Sequence, residues 1–242
     1  MGRNSKNRKL NHEIFDKIEK AECIYQRSLI EVAMLQLGTV GGGNHYVDIF
    51  KDENDYIWIG IHFGSRGFGH KTTTGFISLS QNKDFWEKSQ EGSMDAKPIL
   101  FDMNTDLGQT YFEAMKLAGE YAYAGRELVI RQVLNILDNP KVLFHVHNHH
   151  NFAWKEKHFD KDYYVVRKGC TPAFPGQQGF IGANMKDTSV IVEGIDSEES
   201  KNGLYSTVHG AGRVLSRRAA KGRTKWKNLN GNRREVRLTD GL

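Results

Sequence analysis

The chain has 242 residues, 38% hydrophobic and 11% aromatic, enough apolar side chain for a sizeable core and too much for a disordered polymer. No apolar run approaches the ~20 residues that cross a bilayer, and residues 1–9 are basic and polar, so they are not expected to act as a secretory signal. Two cysteines without a CxxC exclude a cysteine-built zinc site. Cys23 and Cys170 read as buried or free thiols, so the expected location is a reducing cytoplasm. The net charge of +5 is uneven: residues 213–237 carry ten Lys or Arg against the single acid Glu235. Phosphate backbones bind such stretches by counterion release, whereas a solvated basic tail is the plainer alternative.

In chain order, residues 9–37 read as one helix. Ile14, Ile18, Ala21, Tyr25, Leu29 and Val32 recur at three- and four-residue spacing, and Gly38 ends the pattern. Residues 46–50 and 56–62 are strand-like around a polar turn. Asp106 is placed to cap a second long helix running to about Leu137, with Pro140 beyond it. Residues 142–147 alternate and read as a strand, 163–167 and 189–193 as further short strands, and 214–220 as a helix after a glycine-rich turn. Helices and strands mix without strict βαβ order. The expected fold class is therefore α+β, mixed β-sheets with flanking helices, in one domain over 1–242. A helix and basic start occupy 1–34, and a basic tail occupies 221–242.

Ten histidines are present, several in places that hold a side chain rigidly. His45 closes Gly41-Gly42-Gly43-Asn44-His45. His62 ends an apolar strand before Gly64-Ser65-Arg66-Gly67. His145, His147, His149 and His150 crowd one segment, and His209 opens His209-Gly210-Ala211-Gly212-Arg213. Neutral imidazole suits Zn, Mn, Fe or Ni, and neighbouring glycines let an ion or phosphate approach the backbone. An isolated histidine is most often core or surface filler; His45, His62 and His150 together read as metal ligands. The His145-x-His147-x-x-His150 spacing also resembles metallo-β-lactamase-type hydrolases, although His149 stands where those carry aspartate. Four glycine-rich turns offer phosphate-binding amides or cations: Arg66-Gly67, Arg167-Lys168-Gly169, Pro175-Gly176-Gln177-Gln178-Gly179, and Gly210-Ala211-Gly212-Arg213 ahead of a helix.

Gly38-Thr39-Val40-Gly41-Gly42-Gly43-Asn44-His45, His62-Phe63-Gly64-Ser65-Arg66-Gly67, His150-Asn151-Phe152-Ala153, Arg167-Lys168-Gly169 and His209-Gly210-Ala211-Gly212-Arg213 resemble, in order, the motifs of RtcB-type RNA ligases. The match runs from about Leu35 to Ala220. The resemblance implies that His209 is the nucleophile that becomes guanylylated by GTP. It also implies that His45, His62 and His150 ligate a two-manganese site, and that Asn44 lies beside metal and nucleotide. Asp48 stands where the family usually has glutamate, one methylene shorter. Arg66 and Arg213 would neutralise phosphates of GTP or RNA. Pro175, Gly176, Gln177 and Gln178 correspond to a nucleotide-contacting loop, with Gln177-Gln178 in place of the usual Ser-Met, and Gly210, Ala211 and Gly212 complete the GTP-binding set.

The implied reaction joins an RNA 3′-phosphate or 2′,3′-cyclic phosphate end to a 5′-hydroxyl end. Two family features have no match in this chain: an upstream Asp-x-x-Cys pair, since Lys20 stands three residues before Cys23, and a closing Lys-Gly. The chain is accordingly expected to be the central and later part of a larger RtcB-like fold lacking its N-terminal portion. A second polypeptide would supply the missing Asp-x-x-Cys segment, and RNA is the other partner. Two further readings stand beside this one: an inactive homologue that binds metal, GTP or RNA, and a metallo-hydrolase built on His145, His147 and His150.

Overall fold

A computed structural model describes residues 10–89, 98–183 and 187–210. The chain divides into two compact units, Met1–Pro140 and Lys141–Leu242. Helices dominate the first and small antiparallel sheets the second, so the class is mixed α and β.

The first unit opens with α1 (Glu13–Glu19), α2 (Ile24–Arg27) and α3 (Ile30–Gln36), three short helices where the periodicity predicts one. The reason is that this stretch feeds two cores. Ile14, Phe15, Ile18, Leu29, Ala33 and Leu37 pack with Phe68, Ala118 and Tyr121, whereas Cys23 packs with Phe76, Phe85 and Ala114. One straight apolar stripe does not reach both, so the chain turns at residues 20–23 and 28–29. Buried Gln26 keeps its carboxamide satisfied by donating to the Ala114 carbonyl at 2.7 Å.

β1 (Tyr46–Lys51) and β2 (Ile57–His62) pair antiparallel, with Tyr46 opposite His62 and Asp48 opposite Gly60. Asp52 ties the connecting turn, accepting from the Asn54 and Tyr56 amides and from the Trp58 indole. α4 (Arg66–Ser80) follows at once. The sequence predicts only a glycine-rich turn there, because Gly67, Gly69 and Gly75 weaken the helical pattern. Those glycines are contact points: a Cβ at Gly69 would strike the Ser65 side chain, and one at Gly75 the Phe85 ring. α5 (Asp106–Ile136) matches the predicted second helix, although its N-cap is Thr105, whose hydroxyl accepts from the Gly108 amide at 3.2 Å. Ala114, Ala118, Ala122, Ala124 and Gly125 give α5 a small-residue face that lets neighbours approach closely.

In the second unit, residues 142–147 alternate but form no strand, since no neighbouring strand supplies a ladder among the described residues. The main element is the hairpin of β3 (Asn151–His158) and β4 (Lys161–Lys168). It closes through Phe159-Asp160, both at positive φ as a two-residue hairpin turn requires. β5 (Cys170–Pro172) pairs with β8 (Ser206–Val208), and β6 (Gln178–Ile181) with β7 (Val190–Glu193). A short helix, α6 (Glu198–Asn202), precedes β8. Both cysteines are free thiols, and no described helix is long and apolar enough to cross a membrane. The predicted helix over 214–220 and the basic tail lie outside the described residues.

Candidate active site

In the first unit, the loop ahead of β1 and the end of β2 bring two of the predicted ligands together. The imidazole centroids of His45 and His62 are 6.3 Å apart. His45 Nδ1 stands 2.8 Å from the Val40 carbonyl oxygen and 3.4 Å from Arg66 Nη1. The shorter contact assigns the proton to Nδ1 as donor, which puts the lone pair on Nε2. His62 stacks on Tyr46, its cross-strand neighbour, at 5.3 Å, and the Asn44 amide nitrogen stands 3.4 Å from His62 Nε2 as donor. That too leaves Nε2 as the electron-pair end. Asp48 lies two residues beyond Tyr46 on the same face of the hairpin as His62, exposed. Burial, with the Asp48 charge adding to it, pushes the Tyr46 phenol above its ordinary range.

Arg66 opens α4 with φ +55, a left-handed conformation unusual for arginine, and its Nε donates to Thr39 Oγ1 at 3.3 Å. Its guanidinium lies flat against Gly41, φ +87, where any Cβ would overlap it. Burial lowers the Arg66 pKa, yet it remains a cation at neutral pH. Gly41→Ala is therefore expected to displace Arg66 and to cost about 1–3 kcal/mol of stability. A urea melt of the folded variant checks this, and an unchanged midpoint would show that the guanidinium does not need that space. Sequence reasoning missed Arg126 on α5. Its Nη1 donates to the Phe63 carbonyl at 2.9 Å, directly behind His62, and burial depresses its pKa to about 10. The available signal was a cation next to Ala124-Gly125 on a buried helical face.

In the second unit, His150 and His209 stack nearly parallel, centroids 4.5 Å apart. Gly169, φ +73, joins them. Its amide donates to the His150 carbonyl at 2.7 Å and to Asn151 Oδ1 at 3.0 Å, and its carbonyl accepts from His209 Nδ1 at 2.7 Å. Since a carbonyl only accepts, His209 carries its proton on Nδ1 and its lone pair on Nε2. Gly210 adjoins Gly182 through a β-bridge. Ala211, Gly212 and Arg213 lie outside the described residues.

Two of the phosphate-binding turns have different geometry from the expected one. Arg167 is buried and spends its donors internally: on both Glu156 oxygens at 2.7 and 2.9 Å, on Ser206 Oγ and on the Leu204 carbonyl, while its guanidinium stacks over Trp154. Arg167 is a structural cation and is not presented to a phosphate. In the Pro175–Gly179 loop, the Gly176 amide donates to the Gly194 carbonyl at 2.9 Å and the Gln177 amide to the Phe174 carbonyl at 2.8 Å. These amides close a turn, and Gln178 pairs with Glu193 across β6–β7. What faces outward is Gly176, with no atom within 4 Å of where a Cβ would sit.

Among the described residues no three or more His, Cys, Asp or Glu side chains come together as a metal cluster. His145 and His147 lie 5.6 Å apart by centroid without a third ligand, so the predicted hydrolase constellation is not assembled there. The His45–His62 pair suits a borderline divalent ion in donor chemistry, two neutral imidazoles with Nε2 lone pairs, but supplies only two of the ligands an ion needs.

A family model described as tRNA-splicing ligase RtcB matches residues 3–240. The chain belongs to the RtcB family. It is 36% identical over 208 residues to the RNA-splicing ligase RtcB of Escherichia coli K12, covering 81% of this chain and 50% of that protein. Identity to the tRNA-splicing ligase RtcB of Methanocaldococcus jannaschii is 29% over 248 residues, or 84% of this chain and 25% of the relative. For the Archaeoglobus fulgidus protein of the same name it is 29% over 251 residues, or 85% and 51%. The chain thus spans about half the length of the first of these curated relatives. Within this RtcB chain the geometry separates two elements, a histidine pair beside half-buried Arg66 in one unit and a stacked histidine pair with a defined tautomer in the other.

Proposed function

We propose that this chain carries the guanylylation chemistry of a GTP- and manganese-dependent RNA ligase, with His209 as nucleophile. The observation that supports it most is the 2.7 Å hydrogen bond from His209 Nδ1 to the Gly169 carbonyl, which commits the imidazole to attack through Nε2. The Nε2 lone pair forms a bond to the α-phosphorus of GTP while the bond to the bridging oxygen breaks and pyrophosphate leaves. The Nδ1 proton stays on the ring, where the Gly169 carbonyl stabilises the positive charge of the adduct. An RNA 3′-phosphate oxygen then attacks the α-phosphorus and the P–N bond breaks, returning the pair to Nε2. Finally a 5′-hydroxyl attacks the activated 3′-phosphorus, its proton passing to solvent, and GMP departs. A 2′,3′-cyclic end is first opened by water.

Manganese would supply Lewis-acid neutralisation of phosphate oxygens, with His45, His62 and His150 as its histidine ligands. Asn44, Asp48 and Arg66 in one unit, and Gly176, Gly210, Ala211, Gly212 and Arg213 in the other, would contact nucleotide and phosphate, whereas Gln177 and Gln178 are engaged within their own loop and sheet.

Incubation with radiolabelled GTP and Mn²⁺ tests the reading, with the chain alone and with an added polypeptide carrying the Asp-x-x-Cys segment. The expected result is an acid-labile, base-stable label, as a phosphoramidate gives, lost in His209→Ala. No label in either arm removes the ligase activity and leaves an RtcB homologue that binds without joining. Phosphodiesterase turnover surviving His209→Ala supports the hydrolase instead.

A further inference from the structure

The β3–β4 hairpin has two faces of different character. Its inward face carries buried Arg167 and Val165 with the nearly buried carboxylate of Glu156. Alternation and the register, Lys155 opposite Tyr164 and Lys157 opposite Asp162, place Lys155, Lys157, Tyr164, Val166 and Lys168 together on the outward face. Tyr164 is 44% exposed and Val166 73%. Asp162 is the single acid there and is already engaged by Lys155 at 3.8 Å. Three lysines against one carboxylate, with an aromatic ring among them, fit a phosphate backbone with stacking bases. Protein interfaces are instead depleted of lysine at their centres. Lys168, at the open end of this face, is followed directly by Gly169, whose carbonyl holds His209. Tyr164 to Lys168 is four residues, about 13 Å of strand.

We propose that this outward face is a track for single-stranded RNA, with Tyr164 stacking a base and Lys155, Lys157 and Lys168 carrying phosphates toward His209. The inference rests on the ligase reading for its destination, but its test does not depend on turnover. Fluorescence anisotropy with a short labelled single-stranded RNA bearing a 3′-phosphate, titrated at several salt concentrations, reads the track. The full chain is used throughout, so any contribution of the basic tail is common to all variants.

Tyr164→Ala is expected to weaken binding about tenfold, within the range of one lost base–aromatic stack, and Tyr164→Phe to restore it. Lys157→Gln and Lys168→Gln are each expected to reduce the slope of log affinity against log salt by roughly 0.7. Lys161→Gln, on the opposite face, leaves affinity unchanged. Folded Tyr164→Ala binding as tightly as wild type overturns the track, as does a wild-type chain that binds no RNA. Self-association in sedimentation that Tyr164→Ala abolishes, with RNA affinity unmoved, overturns it in favour of a protein on this face. GTP labelling of His209 in the same preparations needs no RNA and reports on the ligase reading separately.

Discussion

Arg167→Ala is expected to destabilise the second unit by about 3–5 kcal/mol, the cost of leaving a buried carboxylate without its cation. The Glu156 side chain is 9% exposed and that of Arg167 1%. Removing the guanidinium also strips donors from Ser206 Oγ and the Leu204 carbonyl, and unstacks Trp154. Replacing both Arg167 and Glu156 with leucine is expected to recover only part of the loss, because the Leu204 carbonyl and Ser206 hydroxyl, though bonded to each other, each lose a donor, and His158 loses its 2.8 Å contact with Glu156. Chemical unfolding followed by tryptophan fluorescence measures both. A single variant as stable as wild type would show that the pair contributes nothing net.

The same pair sets a pH dependence that the variant should weaken. Burial alone drives the Glu156 carboxyl upward, but hydrogen bonds from Arg167 and His158, with their charge, overcome it and hold the pKa below the ordinary range. A carboxyl depressed in the folded state adds stability that is fully present above its unfolded value and is lost as pH falls through the folded one. Wild-type stability should accordingly decline only below the ordinary carboxylate range. Without Arg167 its two contributions to holding that carboxyl down are gone while those of His158 remain, so the loss of stability on acidification should be smaller in Arg167→Ala than in wild type, as chemical unfolding at neutral and acidic pH would read.

Arg167 also shows where the sequence stops being legible. A cation followed by glycine after a strand reads the same whether it faces a phosphate or a carboxylate. What decides is Glu156, on the partner strand, and residues 151–158 carried too little alternation to be read as a strand. The placement of His45, His62, His150 and His209 at turns and strand ends was legible because its constraints are local: a glycine, a strand end or a tight turn within a few residues of each. The β1–β2 hairpin and α5 were legible for the same reason. The break of 9–37 into three helices was not, because it depends on two cores filled by distant residues, Phe68 and Tyr121 for one and Phe76 and Phe85 for the other. α4 was hidden by glycines that exist for close contacts with Gln36, Ser65 and Phe85.

Gly169→Val is expected to separate chemistry from folding. A β-branched residue at φ +73 is strained by about 1–2 kcal/mol. A Cβ there would meet the His209 ring at 3.5 Å, ordinary contact, so the conflict is in the backbone and not in space. Relieving it rotates the peptide groups that donate to His150 and Asn151 on one side and accept from His209 on the other. His209 then loses both the constraint on its tautomer and the position of Nε2. Misplacement of a reacting atom by about 1 Å costs on the order of 10² in rate. If His209 is guanylylated as proposed, the single-turnover rate of that labelling should fall about a hundredfold in Gly169→Val, while the urea midpoint shifts by no more than the backbone strain. Gly169→Asn, a residue that accepts left-handed φ, should recover most of both. A Gly169→Val protein that is folded and labels at the wild-type rate would show that the Gly169 carbonyl does not orient His209 for the proposed attack.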